Sequence, residues 1–229
     1  MARSRLVETL IARLDQTYRG AASPADAVPM AAYMRDQFPF LGIKTPARRA
    51  LDRTITAGLG VPSEHDLAAI TRTCWRLQER EFQYFACDYL RRYVDCASSA
   101  LLPTVETLIT TKSWWDTVDA LAVHVVGALV ADGPELVAEM DRWDRSDNFW
   151  LVRSALLHQL RARTTTDVDR LFRYCTDHAA DTEFFVRKAI GWALREYSRT
   201  DPAAVRRFVA EHDRELSGLS RREAVRHLR

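Results

Sequence analysis

The chain has 229 residues, 47% of them hydrophobic and 28% charged, with a formal net charge of +2. That balance fits one globular domain over residues 1–229, or a short repeat array, with a sizeable core; it supplies no global charge argument for a polyanionic partner. No apolar run approaches the ~20 residues that span a bilayer, so no membrane partner is expected.

The first segment, MARSRLVETLIARLDQ, carries charges throughout. It predicts an amphipathic helix and lacks the apolar block of a signal peptide, which makes the cytoplasm the expected compartment. Residues 1–50 hold eight Lys or Arg against four Asp or Glu, residues 181–229 hold eleven against eight, and the stretch between holds fourteen against nineteen. Thirty of the 33 cations are arginine, the side chain suited to bidentate phosphate contacts. Helical period dominates, and no stretch shows strand-like alternation. The breakers are Ser23-Pro24, Gly42 to Pro46, Gly58 to Pro62, Pro103, Gly133-Pro134, Pro202 and Gly218. They cut the chain into segments of about 12–18 residues, which predicts an all-α protein.

WLVRSALL (150–157) and FFVRKAIG (184–191) superpose with Arg153 over Arg187 and Ala155 over Ala189, a shift of 34 residues. The same step back from Arg153 reaches Asp119, and the next reaches Phe85 in REFQYFACDYL. A period of this length in helical sequence predicts stacked helical pairs of the HEAT kind, the TPR consensus being absent. The expected fold is therefore an α-α superhelix with a concave face. Equivalent helices roughly 10 Å apart would bring Asp119, Arg153 and Arg187 near one another in adjacent layers.

In KSWWDTVDALAVHVV (112–126), Ser113 and Asp116 form a capping-box pattern, and Trp114, Val118, Leu121 and Val125 form a core stripe. Trp115 lies off that stripe, one turn before Asp119. A carboxylate that opens the run ALAVHVV is a poor candidate to stand unpaired: either an arginine neutralises it or it awaits a cationic ligand. KAIGWALREY (188–197) repeats the anomaly, with Val186, Ile190, Ala193 and Tyr197 as core and Lys188, Trp192, Arg195 and Arg199 on another face. That tryptophan either covers a neighbouring repeat or forms a flat platform between phosphate clamps. Tryptophans, a carboxylate and arginines together suit a cation embedded in a phosphate polymer, such as an alkylated purine in DNA. The cysteines (Cys74, Cys87, Cys96, Cys175) form no CxxC pair, and the histidines lack ligand spacing, so neither metal nor cofactor is expected.

On these residues the chain resembles the AlkD-like DNA alkylation-repair glycosylases, a HEAT-like repeat family. The blocks MAAYMRDQFPFLGIKTPARR (30–49), REFQYFACDYL (80–90), KSWWDTVD (112–119), SDNFWLVRSA (146–155), FFVRKAIGWALREYSRTDP (184–202) and LSRREAVRHLR (219–229) carry the resemblance nearly end to end. It implies that Asp119 is the catalytic carboxylate, that Trp115 and Trp192 flank the deoxyribose of the lesion, and that Tyr33 completes the cleft. It also implies that Arg153 and Arg195 hold the lesion-strand backbone, with Lys44 and Thr45 approaching the opposite strand. The partner it implies is double-stranded DNA containing alkylated bases, bound without full base flipping; nothing in the sequence demands more than a monomer.

Charge supplies the mechanism. A cationic N3- or N7-alkylpurine departs as a neutral base, so no general acid is needed and only the sugar's oxocarbenium charge must be stabilised. A lone carboxylate at roughly 4 Å, with an effective dielectric near 20, contributes about 4 kcal/mol, or roughly three decades in rate. Tryptophan faces add about 0.5–2 kcal/mol each. The rival expectations are a non-enzymatic helical scaffold and a DNA-structure binder without excision.

Overall fold

A computed structural model describes residues 4–228. Among them every regular element is helical and none is a strand, so the all-α expectation holds. The chain forms two compact units, divided between Thr104 and Val105.

The first unit contains α1 (Arg5–Gly20), α2 (Pro24–Tyr33), α3 (Thr45–Thr56), α4 (Glu64–Arg76) and α5 (Arg80–Arg92). The charged N-terminal segment folds as expected: Val7, Leu10, Leu14 and Tyr18 line one face of α1 and are fully buried, packed against α3 and α4. The LGIK loop before α3 is held by one side chain. The buried Glu81 carboxylate accepts from the backbone N–H groups of Leu41, Gly42 and Ile43 at 2.9, 2.8 and 3.0 Å. Gly42 is required there, because its φ of +89° is left-handed and a Cβ would lie 2.1 Å from the Ser23 carbonyl oxygen.

The second unit is a stack of helical pairs. Its inner series is α7 (Trp115–Leu121), α10 (Phe149–Leu157), α12 (Phe184–Tyr197) and α14 (Gly218–Ala224), each packed on the next. The intervening helices α9 (Val137–Asp144), α11 (Val168–Asp177) and α13 (Pro202–Glu211) pack on α10, on α10 and α12, and on α12 and α14 respectively. The unit also holds most of α6 (Leu102–Thr110) and the short α8 (Gly127–Asp132). Backbone contact is tightest between α12 and α14. A Cβ on Gly191 would sit 2.5 Å from Glu223 Cβ and 3.0 Å from the Ser220 carbonyl oxygen, so no larger residue fits without moving α14.

His158, which ends α10, is buried. Its Nδ1–H donates to the Ala155 carbonyl at 2.6 Å, while Nε2 has no partner. Burial pushes its pKa from 6.5 down to about 4. Between those two values the unfolded chain binds the extra proton, so stability is full above pH 6.5 and falls as pH drops towards 4. The loss amounts to roughly 3 kcal/mol. Denaturant unfolding at pH 7 and pH 4.5 is expected to give a gap that narrows in a His158→Leu variant. Parallel pH curves for the two proteins would contradict this account.

Candidate active site

Helix α7 begins differently from the capping-box expectation. Trp114 is its N-cap, with extended backbone and no side-chain cap bond. The Ser113 hydroxyl is taken by the last turn of α6, donating to the Ile109 carbonyl at 2.6 Å. Asp116 accepts from the adjacent Thr117 N–H at 3.0 Å. Trp114 itself does not head the buried stripe. Its half-buried ring meets Phe185 edge-on at 5.2 Å and Trp150 at 6.1 Å. The rest of the stripe is as expected, with Val118, Leu121 and Val125 all buried. The helix does not stay regular to Val125. After Leu121 it widens into a π turn, Ala122–Val126, closed by Gly127 N–H donating to the Ala122 carbonyl. Such turns recur at functional sites.

Asp119 has a partner. Arg153 reaches it from α10 with two parallel bonds, Nε to Oδ1 at 2.6 Å and Nη2 to Oδ2 at 2.7 Å. Arg153 Nη1 donates to the Phe185 carbonyl on α12 at 2.5 Å. One guanidinium therefore joins three consecutive inner helices. It is 4% exposed against 14% for the carboxylate, so the acid has an edge towards solvent and the base has almost none. Burial pushes the Asp119 carboxyl above its ordinary pKa, and Arg153 pulls against that shift. Trp115 precedes Asp119 by one turn and is half-buried. Of the two fates the sequence leaves open for Asp119, the structure selects the arginine. Arg187, the next residue in the series, does not join the pair; its Nε is buried without a partner.

On α12 the indole of Trp192 is half-buried between two cations. Lys188 and Arg195, one turn either side, both pair with Glu223 of α14, at 2.8 and 2.5 Å. They hold the Glu223 carboxyl below its ordinary pKa, Lys188 most strongly. Tyr197, expected in the core, is only partly covered. In the first unit Tyr33 ends α2 and is 72% exposed. Lys44 is the N-cap of α3, ion-paired with Asp26 at 2.6 Å, and Thr45 begins that helix. Direct contact among the expected site residues thus occurs between Asp119 and Arg153. Arg153, implied by the resemblance to be a backbone clamp, has each of its three nitrogens bonded inside the unit.

Sequence reasoning passed over Glu223 and the aromatic cluster of Trp114, Phe149, Trp150 and Phe185. A signal existed for Glu223: it lies 35 residues after Lys188, about one repeat on. The cluster had none, because its rings come from the N-terminal ends of three different helices.

The model of the DNA alkylation repair enzyme family matches residues 14–228, and the chain belongs to that family. Among solved structures it is similar to a predicted DNA alkylation repair enzyme from Enterococcus faecalis. The two are 33% identical with a TM-score of 0.83, over 90% of this chain and 96% of that one. No curated protein matches.

Because Arg153 is buried and bidentate, its removal strands a carboxylate in a low-dielectric site. Arg153→Ala should cost about 3–5 kcal/mol of unfolding free energy. Adding Asp119→Ala should restore part of it. Chemical denaturation checks both; a single variant within about 0.5 kcal/mol of wild type would mean the pair has no structural weight.

Proposed function

We propose that this member of the alkylation-repair family is a monofunctional DNA glycosylase, hydrolysing the N-glycosidic bond of cationic N3- and N7-alkylpurines in duplex DNA. The observation that supports it best is Asp119, a carboxylate with an exposed edge, fixed by Arg153 and placed one turn from the Trp115 indole. Such a group suits a sugar that turns positive as the base leaves neutral.

Arg153 changes the magnitude expected of Asp119 but not its sign. A carboxylate offers about four lone-pair sites, and the guanidinium occupies two, so a water or a sugar can still meet the others. The arginine charge subtracts from the field. With the guanidinium carbon roughly 4 Å behind the carboxylate, attraction for a cation at 4 Å falls from about 4 to about 2 kcal/mol at an effective dielectric near 20. That leaves between one and two decades of rate. Cation–π attraction from Trp115 and Trp192, about 0.5–2 kcal/mol each, is then comparable with the carboxylate term. Arg153 acts by holding Asp119 in one orientation, so that the carboxylate needs no reorganisation as charge develops. Arg195 and the Lys44–Thr45 corner remain the proposed contacts to the DNA backbone.

A second reading has one observation in its favour: both Asp119 oxygens already serve an internal ion pair, as they would in a DNA-structure binder that performs no excision. One experiment decides. Wild type incubated with duplex containing N7-methylguanine is expected to release free methylpurine, and Asp119→Asn to lower the single-turnover rate by roughly 10–100-fold while duplex affinity changes little. Binding without base release would favour the structure binder, and an Asp119→Asn rate equal to wild type would remove Asp119 from catalysis.

A further inference from the structure

Outside the Asp119 site, the first unit carries an open trough of about 400 Å³ between the C-terminal halves of α3 and α5. Four arginines rim it: Arg49 and Arg53, one turn apart on α3, and Arg91 and Arg92 in the last turn of α5. All four are exposed. Among the described residues Arg49, Arg53 and Arg91 have no carboxylate within salt-bridge distance, and Arg92 donates only to the Thr56 hydroxyl, at 3.2 Å.

The trough also contains two carboxylates, Asp52 and Asp88, which would ordinarily neutralise such a rim. Both are paired from below, Asp52 largely covered and Asp88 still 36% exposed. Buried Arg48 bonds Asp88 at 2.7 Å and Asp52 at 3.2 Å, and the buried Tyr18 hydroxyl donates to Asp52 at 2.5 Å. One arginine beneath the floor thus spends the acids of the trough and leaves its rim positive. Surface arginines usually sit beside acids that screen them; here the internal network has removed that option.

Shape narrows the ligand. Small-molecule sites enclose most of their ligand, whereas this trough is open along one side and suits a convex, repeating polyanion. Resting on the DNA-repair reading above, we propose that the Arg49/Arg53/Arg91/Arg92 trough is a second, sequence-independent docking site for the phosphodiester backbone of duplex DNA. Its arginines would add affinity and take no part in the chemistry.

The test is fluorescence anisotropy of a short labelled, undamaged duplex, titrated with wild type and with an Arg49→Ala/Arg53→Ala variant over a range of salt. Loss of two phosphate contacts should reduce the slope of log K against log salt by about 2 and weaken binding at least about tenfold near 0.1 M salt. Arg49→Glu/Arg53→Glu should weaken it further, and circular dichroism melts of the alanine variant should match wild type, because neither side chain makes an internal hydrogen bond or close ion pair. A variant slope equal to that of wild type, with methylpurine still released by wild type, would sink the trough and leave the glycosylase standing. A wild type with no affinity for duplex would sink both.

Discussion

The bidentate pair between Asp119 and Arg153 is the interaction on which the second unit and its site both depend. Taking two charges out of water is expensive, and their attraction offsets that cost only when geometry is good and the remaining donors are satisfied. Here Arg153 adds a third bond, to the Phe185 carbonyl, so that each of its three nitrogens has an acceptor. The result is a carboxylate that cannot rotate, on a helix tied to its two neighbours. Stability and chemical orientation therefore come from the same three hydrogen bonds. The same arginine roughly halves the field that the carboxylate projects.

Similar pairs recur between stacked helices. Arg48 and Asp88 link α3 to α5, Asp119 and Arg153 link α7 to α10, and Lys188 with Arg195 links α12 to α14 through Glu223. Apolar stripes alone permit sliding between neighbouring helices, whereas an ion pair rewards a single register. Within each unit this divides the labour: the core supplies most of the free energy of association, and the charges specify alignment. Asp119 differs from its counterparts in having a tryptophan one turn away on its own helix. Asp52 and Asp88 illustrate the opposite use, where an internal arginine withdraws two acids and leaves a neighbouring surface positive.

Much of the architecture was legible from residues alone. The α1 stripe, the helical period and the 34-residue step between Asp119 and Arg153 each reflect local spacing, and local spacing survives into the fold. The capping box expected at α7 does not form, because the hydroxyl of Ser113 has a competing acceptor in α6 that lies close only once the turn between the helices forms. Trp114 was assigned to the buried stripe on angular position. The N-cap conformation swings it instead towards rings contributed by α10 and α12. The π turn at Ala122–Val126 had no visible signal, since the run ALAVHVV satisfies an ordinary helix equally well.

By itself the sequence determined which residues could matter: two tryptophans and a carboxylate off the core faces, and arginines one repeat apart. These follow from periodicity, which is a property of the covalent chain. Only the tertiary structure decided who pairs with whom. Arg153 was available to a phosphate or to Asp119, and Arg195 to a phosphate or to Glu223; electrostatic choice depends on distances of a few ångströms between helices far apart in sequence. That choice braced a carboxylate whose partner the sequence left open, and made α14 the partner of Lys188 and Arg195 on α12.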